Sequence, residues 1–490
     1  MNKTTLIAFT LLAAGGFALG WLSSQAPSPA NARPAANDAP RADVAASAQP
    51  GGDSIKVSSE RRYALRPEDV AADRETPAIA VDAKGRVVVA WASQTEELER
   101  TLFLLRSNDS GATFEPPVPF RKVPIYKFQS KTPGKTMSFS THVLPRLTAD
   151  ADTIWLGWVE ALKGGPTVQY MVARSTDGGR TFSDPIPAHG ETAKRPGFTS
   201  LSLGADGTLL TSWLDGRNQV QQPFLALMPK GTESNRFEKD LLVYAGPEEK
   251  GICPCCDLSV ARTSNGQTYV GFRDNDSGHR DICIARSSSE RPGTFEPPVP
   301  VTSQHWKFDG CPHDGPSLAL AGDQLHLLWM DAHTGKNRVY AASSTLDSAA
   351  LAFTPRTLPA FSAESTQGHP KLIADASQAL HAVWDESLEP APTSSNVGAA
   401  SPSAPPAKAA GESHGHGTTP SSADGGRAIV YTKASPNGEF QKSRAVAARP
   451  GVFQLNPSLA VSPSGQVFIC WNELDTEGKQ VVVVQLAPEK

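Results

Sequence analysis

From residue 77 to the C-terminus, short apolar runs alternate with Gly- or Asp-containing turns in a fixed order. A small residue or Pro precedes a first apolar stretch, a turn follows, and a second stretch ends on a large aromatic: Trp91, Trp158, Trp213, Phe272, Trp329, Trp384 and Trp471. Five of the six intervals between these aromatics are 55–67 residues, and the sixth, 87, carries an inserted low-complexity segment at 388–427. A Phe stands 23 or 24 residues beyond each of the first five, at Phe114, Phe182, Phe237, Phe295 and Phe353, and the displaced counterpart after Trp384 is Phe440. Apolar runs this short, bounded by turn residues, predict strands. A repeat of about 58 residues has room for four of them, so the prediction is an all-β chain, a β-propeller of seven blades, with six as the alternative count.

The ends of the chain predict how the ring closes. After Trp471 there is length for a third strand, Gln480 to Leu486, but not for a fourth. Ile55 to Ser58 precedes the first unit where every other unit has its fourth strand, so the N-terminal stretch is expected to complete the last blade and remove two open sheet edges.

Composition agrees with many turns: 40 Gly and 41 Pro in 490 residues, 7% aromatic and 20% charged. The net charge of -4, from 46 basic and 50 acidic residues, leaves no general field to hold nucleic acid. Lys3 and the uncharged apolar run Thr4 to Trp21 read as an export signal with a small-x-small site at Ala18-Leu19-Gly20, or as an N-terminal anchor. Residues 1–25 are therefore signal or anchor, 26–52 an Ala/Pro-rich linker that cannot bury a core, and 53–490 the propeller. The folded part is expected outside the cytoplasm, periplasmic or secreted, touching a membrane only if residues 4–21 are retained.

Two units carry a sharper motif. Ser107 to Phe114 and Ser175 to Phe182 both read S-x-D-x-G-x-T-F, with decayed copies at Ser287 to Phe295 and Ser435 to Phe440. In these residues the chain resembles the Asp-box, or bacterial neuraminidase repeat, propellers of the sialidase superfamily. Its Cys253-Pro254-Cys255-Cys256 and Gly310-Cys311-Pro312 segments further resemble an exported bacterial group labelled sialidase-like. The resemblance implies a glycan-directed protein, an exo-α-sialidase or other glycoside hydrolase, working at the channel mouth with the Asp boxes on the opposite face. Two family features differ here: the first-blade Arg-Ile-Pro run is replaced by Arg74-Glu75-Thr76-Pro77, and Tyr170, Tyr269, Tyr340 and Tyr431 fall in predicted strands rather than at the mouth.

The loops before first strands and between second and third strands of a blade share one face. That places His142 to Arg146, Arg195 to Gly197, the CPCC segment with Asp257, Gly310 to Gly315 and His369-Pro370 around one opening. Acids two residues after the repeat aromatic, Glu160, Asp215, Asp274, Asp331, Glu386 and Glu473, join them. These acids either cap loops or, crowded together with arginines, raise one carboxyl pKa for acid catalysis. Arg273, Asp274, Arg280, Asp281 and Asp314 are the candidate catalytic residues. Arg146, Arg195, Arg217, His142, Asp215 and Asp331 are candidates for binding a glycan or other small ligand.

Four of the six cysteines, Cys253, Cys255, Cys256 and Cys311, occupy equivalent places in neighbouring units. Outside the cytoplasm they predict disulfides stapling two blades. With His313 they are also a soft donor set for copper or zinc, and the adjacent Cys255-Cys256 pair would suit thiol exchange. Cys283 and Cys470 fall in predicted strands and read as buried apolar residues. Within the insertion, His414 and His416 are inert or form a metal-capturing arm. Lys122 to Lys135 reads as a solvated basic loop or an anionic-surface contact.

Overall fold

The structure is a computed structural model describing residues 54–65, 76–96, 98–132, 135–190, 193–231, 236–346, 348–360, 364–388, 425–476 and 478–488. The expected signal or anchor, the linker and most of the insertion, with His414 and His416, lie outside these residues. The chain is an all-β propeller. Among the described residues, four-stranded antiparallel units follow one another seven times. Their inner strands are Ala78–Val81, Arg146–Asp150, Gly197–Leu203, Ser259–Arg262, Ser317–Ala321, Gln367–Ala374 and Phe453–Val461. Each inner strand contacts the next, and the seventh contacts the first, so they form a closed cycle about an axis. Val57–Ala64 pairs with Gly478–Leu486 and supplies the outer strand of blade 7. It is longer than the Ile55 to Ser58 segment expected, because every position from Glu60 to Ala64 finds a partner on the C-terminal strand.

The repeat aromatics lie in second strands and are buried, five of the six Trp fully so. A buried indole needs an acceptor for its N–H, and the recurring acids supply it: Trp158 Nε1 donates to Glu160 (2.8 Å), Trp213 to Asp215 (2.9 Å) and Trp384 to Glu386 (3.0 Å). The Phe residues at the second recurring position pack against successive core clusters between blades. The Asp boxes close tight turns. In blade 2, Asp177 accepts Ser175 Oγ, Thr181 N and Thr181 Oγ1 at 2.6–2.9 Å, and in blade 1 Asp109 does the same with Ser107 and Thr113. Gly111 must be glycine twice over: its φ is +82°, and a Cβ would lie 2.3 Å from the Phe468 ring of blade 7.

One local device places the site. In all seven blades the residue paired with the position just before the repeat aromatic is preceded by two residues that enter from the axis. In blades 3, 6 and 7 a bulge interrupts the register there. Leu144, Phe198, His369 and Asn456 hold φ values of 48–55° at this point, a conformation non-glycine residues adopt at a cost. The bulge turns the backbone and aims these side chains at the channel. The Lys122 to Lys135 stretch, expected as a loop, instead ends the outer strand of blade 1 and forms a hairpin of Lys127–Thr132 with Lys135–Ser140. Its alternating polar and apolar residues are strand-compatible, and the pairing satisfies backbone groups that a loop would leave to solvent.

Candidate functional site

The mouth face carries an axial cavity and, beside it, a thiol cluster. The seven equivalent axial positions, Thr76, Leu144, Phe198, Asp257, Gly315, His369 and Asn456, all line the cavity, together with His142, His313, Asp314 and Lys371. Gly315 marks where the loops of blades 4 and 5 cross: a Cβ there would stand 2.0 Å from the Asp257 carbonyl oxygen. Arg146 is fixed by Asp257 (2.9 Å) and the Thr199 carbonyl (2.7 Å). The Asp314 carboxylate caps the His369 amide at 2.6 Å, and His369 Nδ1 meets Asp385 at 2.7 Å, which also binds Arg427 and the Asn456 amide. Burial opposes the charged form of His369, but Asp385 and Asp314 hold its pKa above the ordinary value. Burial pushes Asp314 up and Lys371 down.

All six cysteines are free thiols, so the disulfide staple expected between blades is not formed. Cys253, Cys255 and Cys256 instead gather three sulfurs: Cys253 Sγ is 3.6 Å from Cys255 and 3.7 Å from Cys256. The loop that does this is bonded to its own blade through Cys253 N and the Arg273 carbonyl (3.2 Å). Cys311 from blade 5 is exposed and hydrogen-bonds with Cys255. The donor atoms of Cys255, Cys311 and His313 lie within 4.8 Å of one another, as do those of Cys253, Cys255 and Cys256. Hydrogen bonds from the other two thiols, with Arg273 and Arg280 nearby, pull the Cys253 thiol far down, and Cys255 and Cys256 are pushed up. Cys283 and Cys470 are buried in strands with raised thiol pKa values from desolvation, as apolar residues would be.

The residues expected to form one catalytic group divide between places. Arg273 is buried and donates only to backbone carbonyls, of Asp314 (2.9 and 3.1 Å), Arg280 (2.6 Å) and Met330 (2.7 Å), with Trp306 stacked 5.2 Å away. It ties blades 4 and 5 together and cannot also grip a substrate. Asp274 and Asp281 face away from the axis, into a lateral cleft of ≈ 1340 Å³ shared with Tyr244, Asp276, His279, Phe295 and His305. Burial raises the Asp274 carboxyl to about 6, helped by Asp276 and Asp281. Asp281 is held by His305 Nδ1 (2.5 Å) and the Trp306 amide (3.0 Å). Arg280 donates to the Phe308 carbonyl at 3.3 Å, while its Nη1 is buried without an acceptor among the described residues.

Of the expected binding residues, Arg146 and His142 reach the axial surroundings. Arg217 does not: it is locked between Asp215 (2.7 Å) and Asp240 (2.8 Å) over the Phe224 ring. Asp215 is fully buried as the Trp213 acceptor, and Asp331 is fully buried on the His333 amide (2.8 Å). Arg195 is exposed in the loop before blade 3. Lys371, Asn456, Phe198 and the Asp385–Arg427 pair escaped the sequence reading; the repeat register was the signal that would have found the first three. His279, His305 and Tyr244 are distant in sequence from Asp274 and left no comparable signal.

No family model matches the chain, and no curated protein matches it. Among solved structures, an intramolecular trans-sialidase from Ruminococcus gnavus in complex with oseltamivir carboxylate is similar at 10% identity and TM-score 0.43, over 63% of this chain and 89% of that one. The β-propeller domain of the Trilobed protease from Pyrococcus furiosus is similar at 10% identity and TM-score 0.42, over 85% and 95%. A protein of unknown function from Dyadobacter fermentans reaches 17% and 0.42, over 68% and 93%. These likenesses carry no chemistry to this chain, and the propeller assignment stands on its strand pairing.

Proposed function

We propose that this propeller is a soft-metal-binding protein that takes monovalent copper, and zinc less well, through Cys253, Cys255 and Cys256 at the mouth of its channel. The observation that carries the reading is the sulfur spacing. A metal–thiolate bond of about 2.3 Å sets ligands about 3.8 Å apart in tetrahedral and about 4.0 Å apart in trigonal geometry, and the thiols stand 3.6 and 3.7 Å apart. Thiolates select copper(I) or zinc over hard cations, and three donors suit copper(I) better than zinc, which prefers four. The unbonded Arg280 Nη1 supports an anionic cluster beside it. The expected export segment would put this site outside the cytoplasm.

The test is titration of reduced, metal-free protein with copper(I) under anaerobic conditions against a chromophoric copper(I) chelator. Tight binding that is lost in Cys253→Ser/Cys256→Ser is the expected result. Failure of the wild-type protein to retain copper(I) or zinc overturns the reading.

A second reading rests on the lateral cleft, where a carboxyl raised to about 6 stands with a second carboxylate, a Tyr and a Phe, a mix that suits a sugar ring. It favours a carbohydrate-directed site off the axis. The sialidase form of this reading has less support, since Arg146 and Arg217 are engaged by carboxylates and Arg273 by carbonyls. Hydrolysis of a panel of fluorogenic glycosides, abolished in Asp274→Asn, is the outcome this reading requires; no hydrolysis and no change in glycan-array binding would remove it.

A further inference from the structure

The five donors at the mouth form two mutually close sets with one member in common. Cys253, Cys255 and Cys256 are buried; Cys255, Cys311 and His313 lead outward, ending on an exposed thiol. Two ligands of one ion with bonds of about 2.3 Å can stand no more than about 4.6 Å apart, even when opposite each other. Donors that do not form a single close set therefore exceed what one ion can gather without rebuilding the loops, and four ligands already fill a tetrahedral shell.

We infer, resting on the metal reading above, that the site holds two copper(I) ions bridged by the Cys255 thiolate, an inner ion on Cys253, Cys255 and Cys256 and an outer ion on Cys255, Cys311 and His313. Each ion then has three donors. A thiolate sulfur has lone pairs for two soft ions, which a neutral imidazole does not. Four thiolates and two monovalent ions leave a charge of about -2, opposite the two guanidinium groups of Arg273 and Arg280 that pack against the loop. The outer set also joins two compartments: His313 lines the axial cavity, and the inner sulfurs are closed off behind it. The outer ion is thus the one that exchanges with ligands in the channel, and the inner ion is reached through Cys255.

Stoichiometry tests this on the full chain. Reduced protein loaded anaerobically with copper(I) and passed over a desalting column is expected to retain two ions per chain. Cys311→Ser/His313→Ala, which alters exposed and cavity-facing groups, is expected to retain one, and Cys255→Ser to lose the copper–copper scattering seen by X-ray absorption in the wild type. Wild-type protein holding a single ion, with Cys311→Ser/His313→Ala holding the same one, overturns the bridged pair and leaves the metal reading intact. Wild-type protein holding none overturns both. Circular dichroism of each variant separates lost ligands from lost fold.

Discussion

The Asp177 turn of blade 2 and the CPCC loop of blade 4 are both short, polar connections at blade ends, and they differ in how their polar atoms are used. Every oxygen of Asp177 is occupied by its own turn, which holds its carboxyl down to about 2 despite the cost of burial. In the CPCC loop three thiols crowd one another, an exposed Cys311 leans in, and the neighbouring Arg280 keeps a buried N–H without an acceptor. A polar residue that recurs in a repeat and is saturated from within holds the fold. One that breaks the repeat and is left under-used by its neighbours points outward to a ligand.

The comparison fails first at Arg273, which lies next to the thiol loop yet is saturated. Arg273→Ala should cost roughly 3–5 kcal/mol, because buried carbonyls of three residues lose their donor. Denaturant unfolding measures it, and a loss under about 1 kcal/mol would show that the blade 4–5 tie is not structural. Asp177→Ala should cost about 1–2 kcal/mol, the scale of a lost turn cap, with copper(I) retention unchanged. Arg280→Gln should do the reverse, leaving the unfolding midpoint nearly in place and weakening copper(I) about tenfold, or about 1.4 kcal/mol, in chelator competition.

The smallest effect is a pH dependence at Asp274. Its carboxyl is raised to about 6 in the fold, from 3.8, so the folded state binds the proton more tightly and stability falls as pH rises from about 4 through 6. Asp274→Asn removes that charge. It should be more stable than the wild type by about 1–2 kcal/mol at pH 7, with the gain gone below pH 4. Equal gains at both pH values would mean the cleft solvates the carboxylate fully.

Much of this was legible in the chain. The aromatic interval located the second strands, the missing final strand foretold the pairing of the two ends, and the equivalent placement of Cys311 and the CPCC segment brought five donors together at one mouth. What misled was treating all mouth-side acids as one group. Glu160, Asp215 and Glu386 recur because an indole N–H needs an acceptor, and Asp274 belongs to a cleft built with the outer strand of blade 3. Neither partner is near in sequence or marked by spacing.

The sequence by itself determined the repeat, the closure and the inventory of donors, since apolar periodicity and turn chemistry act locally. Only the tertiary structure decided which donors stand within an ion's reach and which arginines are already engaged. A hydrogen bond or a shared ion depends on distances of a few tenths of an ångström between loops about 55 residues apart, and those distances are set by the bulges at the inner strands and by the ring that holds seven blades in register.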